Sequence, residues 1–270
     1  MKIRNKTSRS IIIGMGLCLW TMVQPAFASD SEDLKALTKQ IEALTKQVSA
    51  MHDDVGNLSN RLEKIEAMVP KKKKPTLVSV NLDDAQVMGN KDAKLGILEF
   101  TDFQCPFCSH FYQDVLPNLK KSYIDSGEVS FAVRNYPLSF HPHAMNAAIA
   151  MRCVREQDKA AFWDMSEELF SHQDKLGKDF YTNLAKQQDL NLAQFKSCQD
   201  DPAQKQAIEK ELKYAETVGV SGTPTFFVGH VKGNQLVDAV RLEGAQPYTV
   251  FAEVIDYVNK NTQVADSKKD

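Results

Sequence analysis

The chain has 270 residues, with 33 Lys or Arg and 35 Asp or Glu, so its net charge is −2 with neutral histidines. This length accommodates one domain of ordinary size together with additional segments. Nucleic acid is excluded as an expected partner, because phosphate binding depends on a basic surface that this balance does not provide.

Residues 1–28 are predicted to be an export signal. Four basic residues and no acidic one come first, Ile11–Val23 is apolar but short for a membrane span, and Ala26-Phe27-Ala28 suits signal peptidase. Cys18 follows the bulky Leu17, which disfavours lipoprotein cleavage. Loss of the four positive charges changes the net charge from −2 to −6. The remaining four cysteines would lie in the periplasm, where disulfides persist.

Residues 29–69 are predicted to form a coiled-coil helix. Apolar residues alternate at spacings of three and four, with position a at Leu34, Ile41, Val48, Val55, Leu62 and Val69, and position d at Leu37, Leu44, Met51, Leu58 and Ile65. Mostly β-branched residues at a and mostly Leu at d favour a parallel homodimer, here through residues 32–69. A trimer and a single helix lying on its own domain are the alternatives, the second disfavoured by the narrow stripe.

Residues 70–75, Pro-Lys-Lys-Lys-Lys-Pro, are predicted to be an extended linker. Proline ends the helix, and four adjacent like charges repel one another. A membrane-surface role for these lysines, and hence association with the envelope, is the alternative.

Residues 76–270 have the pattern of one α/β domain. Strands are predicted at 77–82, 95–101, 128–135, 225–229 and 236–243, and helices at 106–124, 146–156, 160–170, 179–188 and 247–261. The three middle helices belong to a helical insertion at about 139–218.

Cys105 and Cys108 lie at the start of the predicted helix 106–124, which follows the second predicted strand. The unpaired N–H groups of a helix N-terminus favour a thiolate, the reactive form of cysteine. The spacing also allows the two sulfurs to close a disulfide, so we interpret the pair as a redox dithiol. Two thiolates could instead bind Cu(I), which is the alternative for these residues.

The segment Glu99-Phe100-Thr101-Asp102-Phe103-Gln104-Cys105-Pro106-Phe107-Cys108, a helical block and Thr223-Pro224-Thr225-Phe226 follow one another in this order. In these motifs the sequence resembles the DsbA-like thiol:disulfide oxidoreductases, over about residues 95–261. The resemblance implies a thioredoxin fold with an inserted helical subdomain. The coiled coil resembles that of the dimeric members of the wider group, among them disulfide isomerases.

The resemblance also implies roles for single residues. Cys105 would be the exposed attacking thiol and Cys108 the buried resolving thiol. Glu99 would lie beneath the dithiol with a raised pKa and exchange a proton with Cys108, with an ordinary polar strand residue as the alternative. Pro224 would be a cis-proline beside the dithiol, with a trans proline at a strand start as the alternative.

The residues that contact a client are implied in the same way. The backbone of Thr223 would pair with an extended client segment, and Pro106, Phe107 and Pro224 would complete the surface. Phe107 occupies the position where the type member has His, so we expect Cys105 to be less acidic and the disulfide less oxidising. Phe107 and Thr223 together favour an enzyme that isomerises disulfides as well as forming them.

Two further pairs of residues, one of cysteines and one of histidines, fall within the predicted insertion. Cys153 and Cys198 belong to an exported chain and are expected to form a structural disulfide, with a second redox pair as the alternative. His141 and His143 have no third ligand nearby, so we predict no metal site.

The sequence therefore predicts a periplasmic thiol:disulfide oxidoreductase that needs no cofactor beyond its Cys105–Cys108 disulfide. Its expected partners are exported client proteins with cysteines and a membrane protein that oxidises or reduces the dithiol. A Cu(I) carrier and a non-catalytic envelope protein are the two alternatives.

Overall fold

The computed structural model describes residues 30–68 and 75–266, which fall into two units, a long helix and the domain that follows it. The predicted export signal and residues 70–74 of the predicted linker lie outside the described residues, and the predicted domain limits stay predictions. Within the described ranges, no helix combines the length and the apolar character that crossing a membrane requires.

Helix α1, Asp30–Met68, is 39 residues long and confirms the predicted N-terminal helix. Its apolar stripe from Leu34 to Leu62 is uncovered, with each a and d side chain between 56% and 67% exposed. The hydroxyls of Thr38 and Thr45, which flank the stripe, donate to carbonyls one turn earlier. Such a stripe on an otherwise polar helix is typical of a helix that pairs with another, and the predicted dimer itself stays a prediction.

The domain is built on a six-stranded sheet of order β1-β6-β5-β3-β4-β2. The strands are Leu77–Asn81 (β1), Gln86–Met88 (β2), Leu95–Thr101 (β3), Val129–Asn135 (β4), Thr225–Lys232 (β5) and Gln235–Glu243 (β6). β3 and β4 are parallel, whereas all other neighbouring strands are antiparallel. Every residue of β3 is buried, because the strand is central and both faces of the sheet are covered.

The helices of the domain lie in two connections between strands and in one segment after the last strand. Residues 106–124 link β3 to β4 and are α-helical over Pro106–His110 (α2) and Leu116–Leu119 (α3), with wider π-helical turns at Phe111–Val115 and Lys120–Ile124. The insertion between β4 and β5 contains Ala144–Gln157 (α4), Lys159–Ser171 (α5), Lys178–Gln187 (α6), Leu192–Gln199 (α7) and Pro202–Thr217 (α8). Tyr248–Asp266 (α9) follows the last strand. The order confirms the predicted α/β fold with a helical insertion.

Alternation along the strands assigns side chains to two separate cores. Phe226 on β5 packs against Phe111 of the helical segment 106–124 and Phe251 of α9, at ring-centroid distances of 4.5 and 4.9 Å. Its neighbour Phe227 points to the other face, where it joins the cluster that contains Ala215 of α8. The sheet is therefore sandwiched between helices.

The insertion has a third core that reaches the predicted dithiol. Buried side chains of α4, α5 and α6 pack together with Phe103, Cys105 and Cys108 in one cluster. The ring of Phe103 lies 5.1 Å from that of Phe170 on α5. The dithiol thus lies where the sheet and the insertion meet.

Two features of the sheet differ from the sequence prediction. β2 was not predicted, because three residues are too few to show an alternating pattern. An alternating pattern such as that of residues 128–135 is typical of a half-buried strand, yet all seven residues of β4 are buried. The polar side chain of Arg134 is accommodated there by stacking on the Tyr214 ring, 4.5 Å from its centroid, and by donating to Asn81.

Candidate active site

The end of β3 turns into α2 through a short loop organised by Asp102. Its carbonyl accepts the N–H of Cys105 at 3.0 Å, and its buried carboxylate accepts the N–H of Gln104 at 2.7 Å. Cys105 then caps the helix: its carbonyl accepts the N–H groups of Cys108 and Ser109, each at 3.1 Å. Pro106 suits the first helical position, where no N–H is needed. Local chemistry therefore fixes the first cysteine at the helix N-terminus.

The two thiols are both reduced and differ in exposure. Cys108 is fully buried, whereas Cys105 retains 3% of its surface, and its sulfur lies 3.4 Å from the Thr223 carbonyl oxygen. The expectation of an exposed Cys105 is therefore wrong. Its side chain packs into the insertion core and against the loop before β5, so only a small part of its surface is accessible to an attacking sulfur.

The pKa values of the two thiols move in opposite directions. A hydrogen bond from the Cys108 thiol, helped by the backbone N–H groups of Phe107 and Cys108, lowers the pKa of Cys105 from 9.0 to about 6 against the opposing effect of burial. Burial, the hydrogen bond to Cys105 and the charge of Glu99 raise the pKa of Cys108 well above 9.0. At neutral pH the first sulfur is therefore a thiolate and the second a thiol.

Glu99 lies on β3 beneath the dithiol and is completely buried. Burial raises the pKa of its carboxyl from 4.5 to about 8, which the nearby Thr101 side chain partly offsets. Neither carboxyl oxygen has a hydrogen-bond partner among the described residues, and the same holds for the buried hydroxyl of Tyr112. A carboxyl of this kind is protonated at neutral pH and can supply a proton to a neighbouring sulfur.

The loop before β5 forms the other side of the site. The Thr223–Pro224 bond is cis, as the family resemblance implied, and the Pro224 carbonyl accepts the N–H of Gly244 at 2.8 Å. A small cavity of about 150 Å³ opens along this loop and is also lined by Glu243 at the end of β6. The Thr223 backbone is therefore positioned beside the Cys105 sulfur.

Two aromatic side chains on the segments around the dithiol, Phe107 and Phe140, are exposed. Phe107, between the two cysteines, is 64% exposed, and Pro106 beside it is exposed too. Phe140 is 73% exposed on the loop after β4, which Asp102 holds by accepting the Leu138 N–H at 2.9 Å. Exposed rings around a reactive sulfur offer contacts to apolar client side chains.

His141 and His143 belong to this loop. His141 Nδ1 lies 2.7 Å from the Asp102 carboxylate, and the His143 N–H donates to the Gln104 side chain at 2.7 Å. Within residues 34–64 and 75–261 no three His, Cys, Asp or Glu side chains form a group that could hold a metal ion. The two histidines thus fasten a loop to the residues preceding Cys105.

Sequence reasoning missed Gln173, which connects the insertion to the dithiol. Its side-chain amide donates to the carbonyls of Phe103 and Cys105 at 2.9 and 3.0 Å. These carbonyls belong to residues on either side of Gln104, in the turn that leads into α2. A single Gln in a connecting segment 68 residues away gives no local signal of such a contact.

Cys153 on α4 and Cys198 on α7 form a disulfide, with their Cα atoms 5.8 Å apart. It closes a loop of 45 residues inside the insertion. This pairing agrees with the structural disulfide expected from the sequence, and the role of the bond stays a prediction.

Comparisons with known proteins agree with this geometry. The thioredoxin family profile matches residues 81–245. The probable disulfide bond formation protein D of Bacillus cereus is 29% identical over 163 residues, which cover 58% of this chain and 75% of that protein. The Na(+)/H(+) antiporter NhaA 3 of Salinispora tropica is 34% identical over 153 residues, 56% of this chain, but the chain spans only 22% of the antiporter.

Among solved structures, oxidised BdbD from Bacillus subtilis is similar, with a TM-score of 0.59 and 26% identity over 70% of this chain and all of BdbD. The region that matches the thioredoxin family profile, residues 81–245, contains both cysteines of the dithiol and Pro224. The chain therefore belongs to the thioredoxin family, and its predicted membership of the DsbA-like disulfide oxidoreductases is confirmed.

Proposed function

We propose that the chain forms, and also isomerises, disulfides in exported proteins, with Cys105 as the attacking thiol and Cys108 as the resolving thiol. The observation that carries this proposal is the contrast between the two sulfurs, one with a pKa of about 6 and one with a pKa raised well above 9.0. A low pKa makes Cys105 both a thiolate nucleophile and a good leaving group.

Disulfide formation proceeds in two exchanges. A client thiolate attacks the Cys105 sulfur of the oxidised enzyme, so that a client–Cys105 disulfide forms and the Cys105–Cys108 bond breaks. Attack at Cys105 is favoured because Cys108 has no exposed surface. A second client thiolate then attacks the client sulfur and releases Cys105 as a thiolate. The client loses two electrons, and the enzyme dithiol gains them.

Glu99 supplies the proton that this cycle needs. When Cys108 leaves the enzyme disulfide, its high pKa requires it to become a thiol, and the protonated Glu99 carboxyl is the acidic group beneath it. When the dithiol is reoxidised, the proton returns from Cys108 to Glu99. The carboxyl pKa of about 8 suits transfer in both directions near neutral pH.

A client would bind as an extended segment beside Thr223. The Thr223 carbonyl oxygen lies 3.4 Å from the Cys105 sulfur, so a client N–H that donates to this carbonyl would bring the client backbone beside the reacting sulfur. The exposed Phe107 ring and Pro106 would cover apolar client side chains next to the reacting cysteine.

Turnover requires an electron acceptor, because each client disulfide leaves the enzyme reduced. We assign this role to a membrane redox partner in the periplasm. No organic cofactor or metal is needed in this scheme, since the Cys105–Cys108 disulfide carries both electrons.

Dimerisation would arise from α1. A parallel pair of these helices would bury the a and d side chains along a length of roughly 60 Å, at about 1.5 Å per residue. Two active sites held in one assembly could engage the same misfolded client, which supports the isomerase part of the proposal. Deleting residues 29–75 should yield a monomer with less isomerase and at least equal oxidase activity. An unchanged oligomeric state would contradict the dimer.

The function itself is tested with Cys108→Ala in the full chain. Without the resolving thiol, mixed disulfides between Cys105 and exported proteins should accumulate and be identified by mass spectrometry of unreduced peptides. Absence of such adducts, or adducts formed through Cys153 or Cys198, would contradict the proposed roles.

A further inference from the structure

A second groove lies behind the helix that carries the dithiol. It has a volume of about 590 Å³ and runs between the helical segment 106–124 and α5, with Met88 of the edge strand β2 at one end. The first helical segment contributes Tyr112, Leu116 and Lys120, and α5 contributes Trp163 and Phe170. Neither cysteine of the dithiol lines it, and it is distinct from the cavity beside Pro224.

The floor of the groove is apolar and already ordered. Tyr112 stacks on Phe170 with ring centroids 4.1 Å apart, and Trp163 lies 5.9 Å from Phe131 in the core. Tyr112 and Trp163 are only partly buried, so their rings present apolar surface to the groove. A rigid aromatic floor binds an apolar side chain without an entropic cost of ordering the site.

The rim of the groove is acidic. Asp164 and Glu167 are exposed on the same side of α5, three residues apart, and neither has an ion pair or side-chain hydrogen bond with a described residue. The basic group that lines the opposite wall, Lys120, is already paired with Asp125 at 2.5 Å. Two adjacent like charges mildly destabilise a helix, so this arrangement favours an arriving positive charge.

We propose that this groove binds a protein segment in which an apolar or aromatic side chain is flanked by Lys or Arg. The apolar side chain would lie on Tyr112 and Trp163, and the basic groups would pair with Asp164 and Glu167. Recognition of this kind needs no cysteine in the segment. The groove is therefore a docking site separate from the Cys105–Cys108 chemistry. The bound segment need not belong to a protein that exchanges disulfides with Cys105.

Trp163 provides a direct readout of binding. The chain has two tryptophans, Trp20 and Trp163, so a Trp20→Phe variant of the full chain has a single emitter, which lies in the groove. It is titrated with three cysteine-free peptides: one with a Leu-Phe-Leu centre flanked by lysines, one with the same centre flanked by glutamates, and one with lysines around a serine centre. The lysine-flanked apolar peptide should change Trp163 emission saturably. The other two peptides should bind with an affinity at least about tenfold lower.

Two charge variants then separate the groove from the general charge of the protein. Asp164→Lys with Glu167→Lys should weaken binding of the lysine-flanked peptide about tenfold and strengthen that of the glutamate-flanked one. Glu168→Lys, one residue further on the same helix but outside the groove and paired with His172, is the matched control and should change neither. All three positions are exposed, so the fold should persist, which circular dichroism checks.

Saturable binding that follows this pattern supports the groove. Equal affinity for the lysine and glutamate peptides, an equal effect of Glu168→Lys, or no saturable change in Trp163 emission would overturn it. Because the peptides contain no thiol, such a failure would leave the proposed exchange chemistry of Cys105 untouched.

Discussion

The protein contains two cysteine pairs whose sulfurs have the same chemistry but very different surroundings. Cys105 and Cys108 are three residues apart on one helical turn, with free thiols beside the loop that ends at Pro224. Cys153 and Cys198 are 45 residues apart on two helices of the insertion and are joined.

The difference lies in what stabilises each state. The first pair is at a helix N-terminus, where a hydrogen bond from the Cys108 thiol, together with backbone N–H groups, stabilises the Cys105 thiolate and so favours the reduced form. The second pair closes a long loop, so its reduction would increase the entropy of the unfolded chain and leave the folded chain unchanged in this respect. No helix N-terminus would stabilise a thiolate of this pair. Position at a helix N-terminus, rather than the presence of two cysteines, thus distinguishes a redox pair from a structural one.

Removal of the proposed nucleophile should have the largest effect on the difference between the two cysteine pairs. Cys105→Ser should lower the rate of disulfide exchange with a reduced client by on the order of a thousandfold or more, because the thiolate is lost. Cys198→Ser with Cys153→Ser is the control pair. Oxidative refolding of a client protein measures both, and comparable loss in the control would remove the distinction between the pairs.

Glu99→Gln tests the proton donor beneath the redox pair. Formation of the client–Cys105 disulfide from the oxidised enzyme should slow by roughly tenfold to a hundredfold at pH 7, since the departing Cys108 loses its proton donor. Stopped-flow measurement of that step reports the effect. Glu128→Gln, at an exposed site before β4, is the matched control, and equal slowing there would contradict a specific role.

The same carboxyl makes the stability of the reduced protein depend on pH. Folded Glu99 keeps its proton up to about pH 8, whereas the unfolded side chain loses it near 4.5. The folded state therefore binds more protons between these values, and this contribution to the free energy of unfolding is lost as pH rises. Relative to Glu99→Gln, the reduced wild type should lose on the order of a few kcal/mol between pH 5 and about 8 in urea titrations.

Removing the Cys153–Cys198 disulfide should lower the stability of the protein but leave its exchange activity. Cys153→Ala with Cys198→Ala should lower the free energy of unfolding by roughly 3–4 kcal/mol, because the unfolded chain regains the entropy of a loop of 45 residues. Exchange activity below the melting temperature should remain. Thermal denaturation and a refolding assay on the same sample would separate the two properties.

The smallest expected change concerns the support of the redox pair. Gln173→Met keeps the side-chain length but removes the donors to the Phe103 and Cys105 carbonyls. We expect the pKa of Cys105 to rise by a few tenths, because the turn that directs N–H groups at its sulfur is less well fixed. Thiolate absorbance against pH measures this, with Gln194→Met as the control. A lower melting temperature with an unchanged pKa would indicate a structural role alone.

The sequence predicted those parts of the site that arise from local pattern. The run of buried residues before Cys105, the helix that begins at Pro106 and the heptads of α1 each appear in contiguous sequence. The family motif supplied the cis bond at Pro224. These are features that a short stretch of chain determines largely by itself.

The remaining features depend on contacts between distant segments. The burial of Cys105 results from packing against the insertion and the Thr223 loop, and nothing in its own segment indicates it. The pairing of Asp102 with His141 and the contact of Gln173 join residues far apart in the chain. The buried character of β4 depended on α8 covering the second face, a helix that the sequence pattern did not separate from its neighbours.

The most direct test of the account is a redox titration that follows both pairs together. The protein is equilibrated across a range of reduced and oxidised glutathione, quenched by alkylation and mapped by mass spectrometry. Cys105 and Cys108 should pass reversibly between dithiol and disulfide while Cys153–Cys198 stays oxidised throughout. Failure of Cys105 and Cys108 to form a reversible disulfide, or titration of both pairs together, would contradict it.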